Sequence, residues 1–115
     1  MFEPRDLVVA WFPGARQAKR RPVVVLSSAL YNAARPDIIY GLVTSRAARA
    51  TGPTDCLLED WSAYGLRVPS AFRAFIETLP VTEEVRHISR LSERDWEAVR
   101  GCVRRALAPL EDGTE

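Results

Sequence analysis

Apolar runs of strand length, cut by proline, glycine and charge, fill most of the chain before residue 90, and a helical periodicity takes over after it. Asp6-Leu-Val-Val-Ala-Trp-Phe12 is rich in β-formers and stops at Pro13-Gly14, which predicts a first strand running into a turn. Gly14 to Arg20 is polar and cationic and reads as a loop. Pro22-Val-Val-Val-Leu-Ser-Ser28 is a second strand, opened by a residue that has no N–H for a ladder. Asn32 to Pro36 is a connection, and Asp37-Ile-Ile-Tyr-Gly-Leu-Val-Thr44 a third strand with an interior glycine. Ser45 to Pro53 is a loop, Asp55 to Glu59 a short strand, and Trp61 to Gly65 a connection. Val68 to Thr78 and Val85 to Arg90 are further extended stretches, with Pro69 and Pro80 limiting how central they can be. Ser92 then caps a helix, Asp95 gives a capping-box-like start, and Trp96, Val99, Val103, Ala106 and Leu107 recur at helical spacing before Pro109. Short strands followed by one amphipathic helix imply a mainly β fold, a small curled antiparallel barrel packed by a C-terminal helix. Residues 1 to 110 make one domain, and 111 to 115 an acidic, frayed tail.

With 115 residues, 47% of them apolar and 27% charged, the chain falls in the range of one globular domain with a modest core, which dimerisation would help. The first apolar stretch, Leu7 to Phe12, is too short for a signal-peptide core or a membrane span, so a soluble, cytoplasmic protein with no membrane partner is expected. Cys56 and Cys102 have neither metal-ligand nor redox-motif spacing and read as two small buried thiols. Charge is unevenly spread. Residues 1 to 52 carry eight basic against three acidic side chains, residues 53 to 115 eight against twelve. Fifteen of the sixteen cations are arginine, whose planar fork suits phosphate, and a basic N-terminal half suits an anionic ligand; a solvated arginine-rich surface is the plainer reading of any one of them.

Several chemistries are excluded by residue type. A ribonuclease using two histidines is impossible with His87 alone, and His87 itself reads as a surface or satisfied core side chain. Asp55, Glu59 and Asp60 bracket an apolar strand without repeated ligand spacing, so neither a metal nor any other cofactor is expected. Ser27, Ser28 and Ser45 lack a nucleophile elbow or a placed histidine. Arginine and hydroxyl chemistry remains. Arg21 stands at a loop-to-strand junction beside Pro22, while Thr44 and Ser45 end the third strand; on a shared edge, guanidinium and hydroxyl would converge on one phosphate.

The segments Asp6 to Pro13, Lys19-Arg-Arg-Pro-Val-Val-Val-Leu-Ser27, Tyr31-Asn32, Leu42-Val-Thr-Ser45, Gly65-Leu66 with Pro69-Ser70, and Ile88-Ser-Arg-Leu-Ser92 together resemble the MazF/PemK toxins of type II toxin-antitoxin systems. The most specific part is Arg-Pro before an apolar strand with Thr-Ser at the end of the next. The resemblance implies an SH3-like antiparallel β-barrel of the PemK/CcdB type, a homodimer, and metal-independent, sequence-specific endoribonuclease cleavage of single-stranded RNA to 2′,3′-cyclic phosphate and 5′-hydroxyl ends. It also implies a cognate antitoxin whose disordered tail blocks the RNA groove, with DNA reached only through that antitoxin. By the same resemblance Arg21 and Thr44 are the catalytic pair: Arg21 stabilises the phosphorane and protonates the departing 5′-oxygen, and Thr44 holds a non-bridging oxygen. Arg16, Lys19, Arg20, Ser45 and Arg46 are the candidate RNA contacts. Tyr31 or Phe12 would stack a base or join the core. Departures from relatives are Arg5 where glycine is usual, Arg16 where some carry a glutamate, and Arg73-Ala-Phe-Ile-Glu-Thr78 where one branch has Gln-x-Arg-Thr. The alternative is a non-catalytic toxin on the same barrel, either a CcdB-like gyrase binder or an inactive nucleic-acid-binding relative.

Overall fold

The computed structural model describes residues 2–12, 19–81 and 84–109, with Phe12 and Lys19 described for backbone only. Arg16, most of the basic loop and the acidic tail at 111–115 lie outside the described residues. Strands β1 (Asp6–Phe12), β2 (Lys19–Val25), β3 (Asp37–Thr44), β4 (Asp55–Leu57), β5 (Ala71–Pro80) and β6 (Arg86–Arg90) form one six-stranded sheet in the order β4-β5-β3-β2-β1-β6. All its pairings are antiparallel. Helix α1 (Ala29–Ala34) links β2 to β3, and α2 (Glu93–Ala106) follows β6. The end strands β4 and β6 do not pair with one another, so the sheet is open where a closed barrel was expected. Their brevity accounts for this. Three residues of β4 and five of β6 leave too little ladder to close the sheet on itself.

The central strands read as continuous apolar runs because both faces of the sheet are covered. Leu7, Val24, Val43 and Phe72 point to one face, where they pack with Leu58, Tyr64, Val99 and Cys102 under α2. Val8, Ala10, Val23, Val25, Ile38, Tyr40 and Leu42 point to the other, joined by Phe2, Leu79 and Val85. On that second face the sheet curls strongly enough for the Tyr40 hydroxyl to donate to the Trp11 carbonyl at 2.8 Å, across the intervening strand.

Four local readings change. β2 begins at Lys19 and puts Pro22 inside the strand, opposite Val9. After it, Ser28 caps α1 instead of ending a strand, accepting from the Tyr31 N–H at 3.1 Å, and Asn32 is buried beneath the helix with its amide bonded to Ser27 and Phe2. β5 lies between β4 and β3, but β4 covers only its residues 71 to 73, and Pro80 ends it on the stretch paired with β3 alone. At α2, Ser92 does cap the helix, yet Asp95 makes no return bond. The Tyr64 hydroxyl accepts from the Ser92 N–H at 2.8 Å, and buried Asp95 accepts from the N–H groups of Glu59 and Asp60 at 2.8 and 3.0 Å. Leu107 lies beyond the helix and is exposed, unlike Val99 in the same apolar stripe.

Candidate active site

The site is built by strand register. β2 and β3 pair Val25 with Tyr40, Val24 with Gly41 and Val23 with Leu42, and there the ladder stops. Pro22 explains the stop. Arg5 donates to the Val25 carbonyl from the β1 side at 2.9 Å, so the polar groups of Val25, Val23 and Arg21 face β1 by alternation, and those of Val24 and Pro22 face β3. The N–H that proline lacks is therefore the one the next rung to β3 would need. Carried two residues past the last pair, the same register sets Arg21 opposite Thr44. In an intact antiparallel pair such positions stand about 5 Å apart at Cβ, close enough for these side chains to meet one phosphate.

Both side chains belong to the curled face that carries Val23 and Leu42. Arg21 is half-buried, fixed by its backbone pairing with Ala10, and meets no acid or acceptor among the described residues. The Thr44 Oγ1 accepts from the Arg46 N–H at 3.1 Å, which orients the oxygen and leaves its hydroxyl proton to donate. Ala71, a buried side chain without polar atoms, lies opposite Thr44 on the other side. An unpaired cation and an oriented hydroxyl donor, at facing register positions where two strands are no longer tied together, have the chemistry an anion needs.

The other expected contacts divide. Ser45 and Arg46 are exposed, directly after Thr44. Lys19 has its backbone in β2, paired with Phe12. Arg20 is turned to the opposite face from Arg21, with its guanidinium 6.0 Å from the Trp11 ring centroid. Tyr31 is half-buried rather than in the core: its hydroxyl donates to Asp37 at 2.6 Å, and Arg35 lies over its ring. His87 is exposed on the edge strand β6, 3.5 Å from Asp6.

Arg73, which the sequence did not single out, lies opposite Leu42 on the same face as Arg21. It is already engaged, 3.2 Å from Asp55 and over the Phe75 ring. Cys56 and Cys102, far apart in sequence, meet under α2; burial and then the Cys102 hydrogen bond push the Cys56 thiol up to about 12, which disfavours the nucleophilic thiolate. Among the described residues no three His, Cys, Asp or Glu side chains gather closely enough to hold a metal ion.

Residues 3–107 match the family described as PemK-like, MazF-like toxin of type II toxin-antitoxin system. The chain belongs to that family. Its fold is also shared with solved MazF structures. MazF of Deinococcus radiodurans is 26% identical over 91% of this chain and 94% of its own, with a TM-score of 0.72. The Mycobacterium tuberculosis toxin MazF-mt6 is 20% identical over 89% of this chain and 95% of its own, with a TM-score of 0.71. A mycobacterial endoribonuclease in complex with its cognate antitoxin is 18% identical over 91% of this chain and 94% of its own, with a TM-score of 0.70. No curated protein matches the chain in sequence. For this MazF-like toxin no described helix is long and apolar enough to cross a membrane.

Proposed function

We propose that this MazF-like toxin is a cytoplasmic endoribonuclease that cuts single-stranded RNA at a short sequence motif without a metal ion. It works as a homodimer and is held in check by a cognate antitoxin. The 2′-hydroxyl gives its proton to solvent as its oxygen attacks the adjacent phosphorus, the bond to the 5′-oxygen breaks with that oxygen taking a proton from solvent, and the ends are a 2′,3′-cyclic phosphate and a 5′-hydroxyl. Arg21 stabilises the charge of the phosphorane with the fork of N–H donors that a guanidinium presents. Thr44 donates its hydroxyl to a non-bridging oxygen. Arg46 and Ser45, next to Thr44, and Lys19 and Arg16, leading into Arg21, contact the flanking backbone.

The observation that carries the reading is the register of β2 and β3, which runs Arg21 and Thr44 toward one point at the rung Pro22 removes. A toxin that only binds protein has no use for an unpaired guanidinium at the register position facing an oriented hydroxyl. The test is incubation of the purified protein with mixed-sequence RNA in EDTA, followed by end-mapping. Arg21→Ala is expected to slow cleavage by about 100-fold or more, and Thr44→Val by about 10-fold or more. Arg21→Ala cutting as fast as the parent would refute the assignment, and absence of cleavage by the parent at every concentration would favour the gyrase-binding or inactive alternative.

A further inference from the structure

On the face of β1 and β2 turned away from Arg21 lies a hollow of about 440 Å³, lined by Val9, Arg20, Arg86, His87 and Ile88. Its volume falls in the usual range for small-ligand clefts, about 300–1,000 Å³. Register lays out its plan. Arg20 stands opposite Trp11 across β1 and β2, and Arg86 stands opposite Val9 across β1 and β6. Two guanidiniums therefore flank β1 from its two sides, on the face that also carries the Trp11 indole. Arg20 is held in place by donating to the Glu84 carbonyl at 3.2 Å and by its position by the Trp11 ring. Arg86 is exposed and meets no acid or acceptor among the described residues. Trp11 is 40% exposed and Ile88 37%, large apolar surfaces left open beside cations. Among the described residues, none of the side chains lining the hollow is acidic.

Open apolar surface next to an indole, with two cations and no acid among the described lining side chains, fits a nucleotide: the base lies on the ring and the apolar floor, the phosphate between the guanidiniums. An acidic peptide would satisfy the cations but leave the stacking surface unused. We propose that this hollow is an accessory nucleotide-binding subsite for single-stranded RNA, gripping a nucleotide that flanks the one cut at Arg21 and Thr44. The inference rests on the ribonuclease reading above. Adjacent residues on β2 would serve the two places: Arg21 the cut phosphate on one face, Arg20 the flank on the other. Binding energy at the flank would strengthen capture of long RNA and leave the chemical step alone.

The experiment uses the full chain in an Arg21→Ala background, titrated with labelled mixed-sequence RNA over a range of salt, with polyglutamate as a second probe. Adding Arg86→Glu is expected to weaken RNA binding about 10-fold and to lower the log–log salt slope by about 0.7, one phosphate contact. Arg86→Lys should keep the slope, and Trp11→Leu should weaken binding without changing it. With Arg21 intact, Arg86→Glu should raise KM on long RNA at unchanged kcat and leave short oligonucleotides unaffected, a split that a folding defect would not produce. Arg86→Glu binding RNA with the parent's affinity and slope would overturn the subsite while the ribonuclease reading stands, as would a loss confined to polyglutamate. Failure of the parent to bind or cut any RNA would overturn both.

Discussion

Arg5 is the one described non-glycine residue with positive φ, at 82°, directly before β1. Its backbone N–H donates to Val25 at 2.9 Å, its carbonyl accepts from Leu91 at 3.0 Å, and its side-chain Nε donates to the Leu91 carbonyl. A Cβ in the left-handed region costs about 1–2 kcal/mol, and the side-chain bond returns about 1 kcal/mol, so the arginine roughly offsets the strain it introduces where relatives use glycine. Arg5→Ala keeps the strain and loses the bond. It should be less stable than the parent by about 1 kcal/mol, and Arg5→Gly should restore most of that loss. Urea midpoints would order the three, and an alanine variant at least as stable as the glycine one would contradict the account. At this scale legibility follows chemistry. Arg21 beside Pro22 and Thr44 at a strand end are visible by type and position, whereas the roles of Asp95, Arg73 and the Cys56–Cys102 contact come from partners that only the folded chain supplies.

Elements were legible where the pattern was long. β1 and β3 occupy the predicted residues because their runs fill the span between polar breaks, and α2 starts at its predicted cap. α1 was not, because six residues with Asn32 as their buried contact and Leu30 exposed show no helical face. β2 was displaced toward its basic end because a proline that opens a strand and one that ends a ladder inside it look alike in sequence. The interior glycine of β3 has a definite reason. A Cβ on Gly41 would stand 2.5 and 2.7 Å from two ring carbons of Phe72, a fully buried side chain of β5. Gly41→Ala should destabilise by about 1–3 kcal/mol, the usual cost of overpacking a filled core. Adding Phe72→Leu should make the pair cost less than the sum of the two single changes, and strict additivity in denaturant unfolding would show that the contact is not the cause.

Across the whole molecule the two faces of the sheet carry different tasks. One is curled, with Arg21 and Thr44 at its open end; the other lies under α2. What ties α2 down is a polar cluster at its N-terminus. Asp95 accepts from Tyr64, Ser92 donates to Asp60, and Arg94 bonds both Asp60 oxygens, at 3.0 and 2.7 Å. Arg94 first and then Ser92 hold the Asp60 carboxyl down to about 2. A carboxyl whose pKa is lower folded than unfolded contributes stability that is complete above its unfolded value, about 4, and is lost as pH falls toward the folded one. The α2 anchorage should therefore weaken between about pH 4 and pH 2, and less steeply in high salt because the Arg94 pair is partly exposed. Asp60→Asn removes the titrating group. The variant should be less stable than the parent at pH 7 but lose less on acidification through that window, so that the two unfolding curves converge near pH 2. RNA cleavage at pH 7 should be unchanged, since the cluster lies away from the face that carries Arg21. Parallel stability curves for parent and variant down to pH 2 would show that Asp60 is not the group that links α2 to acid.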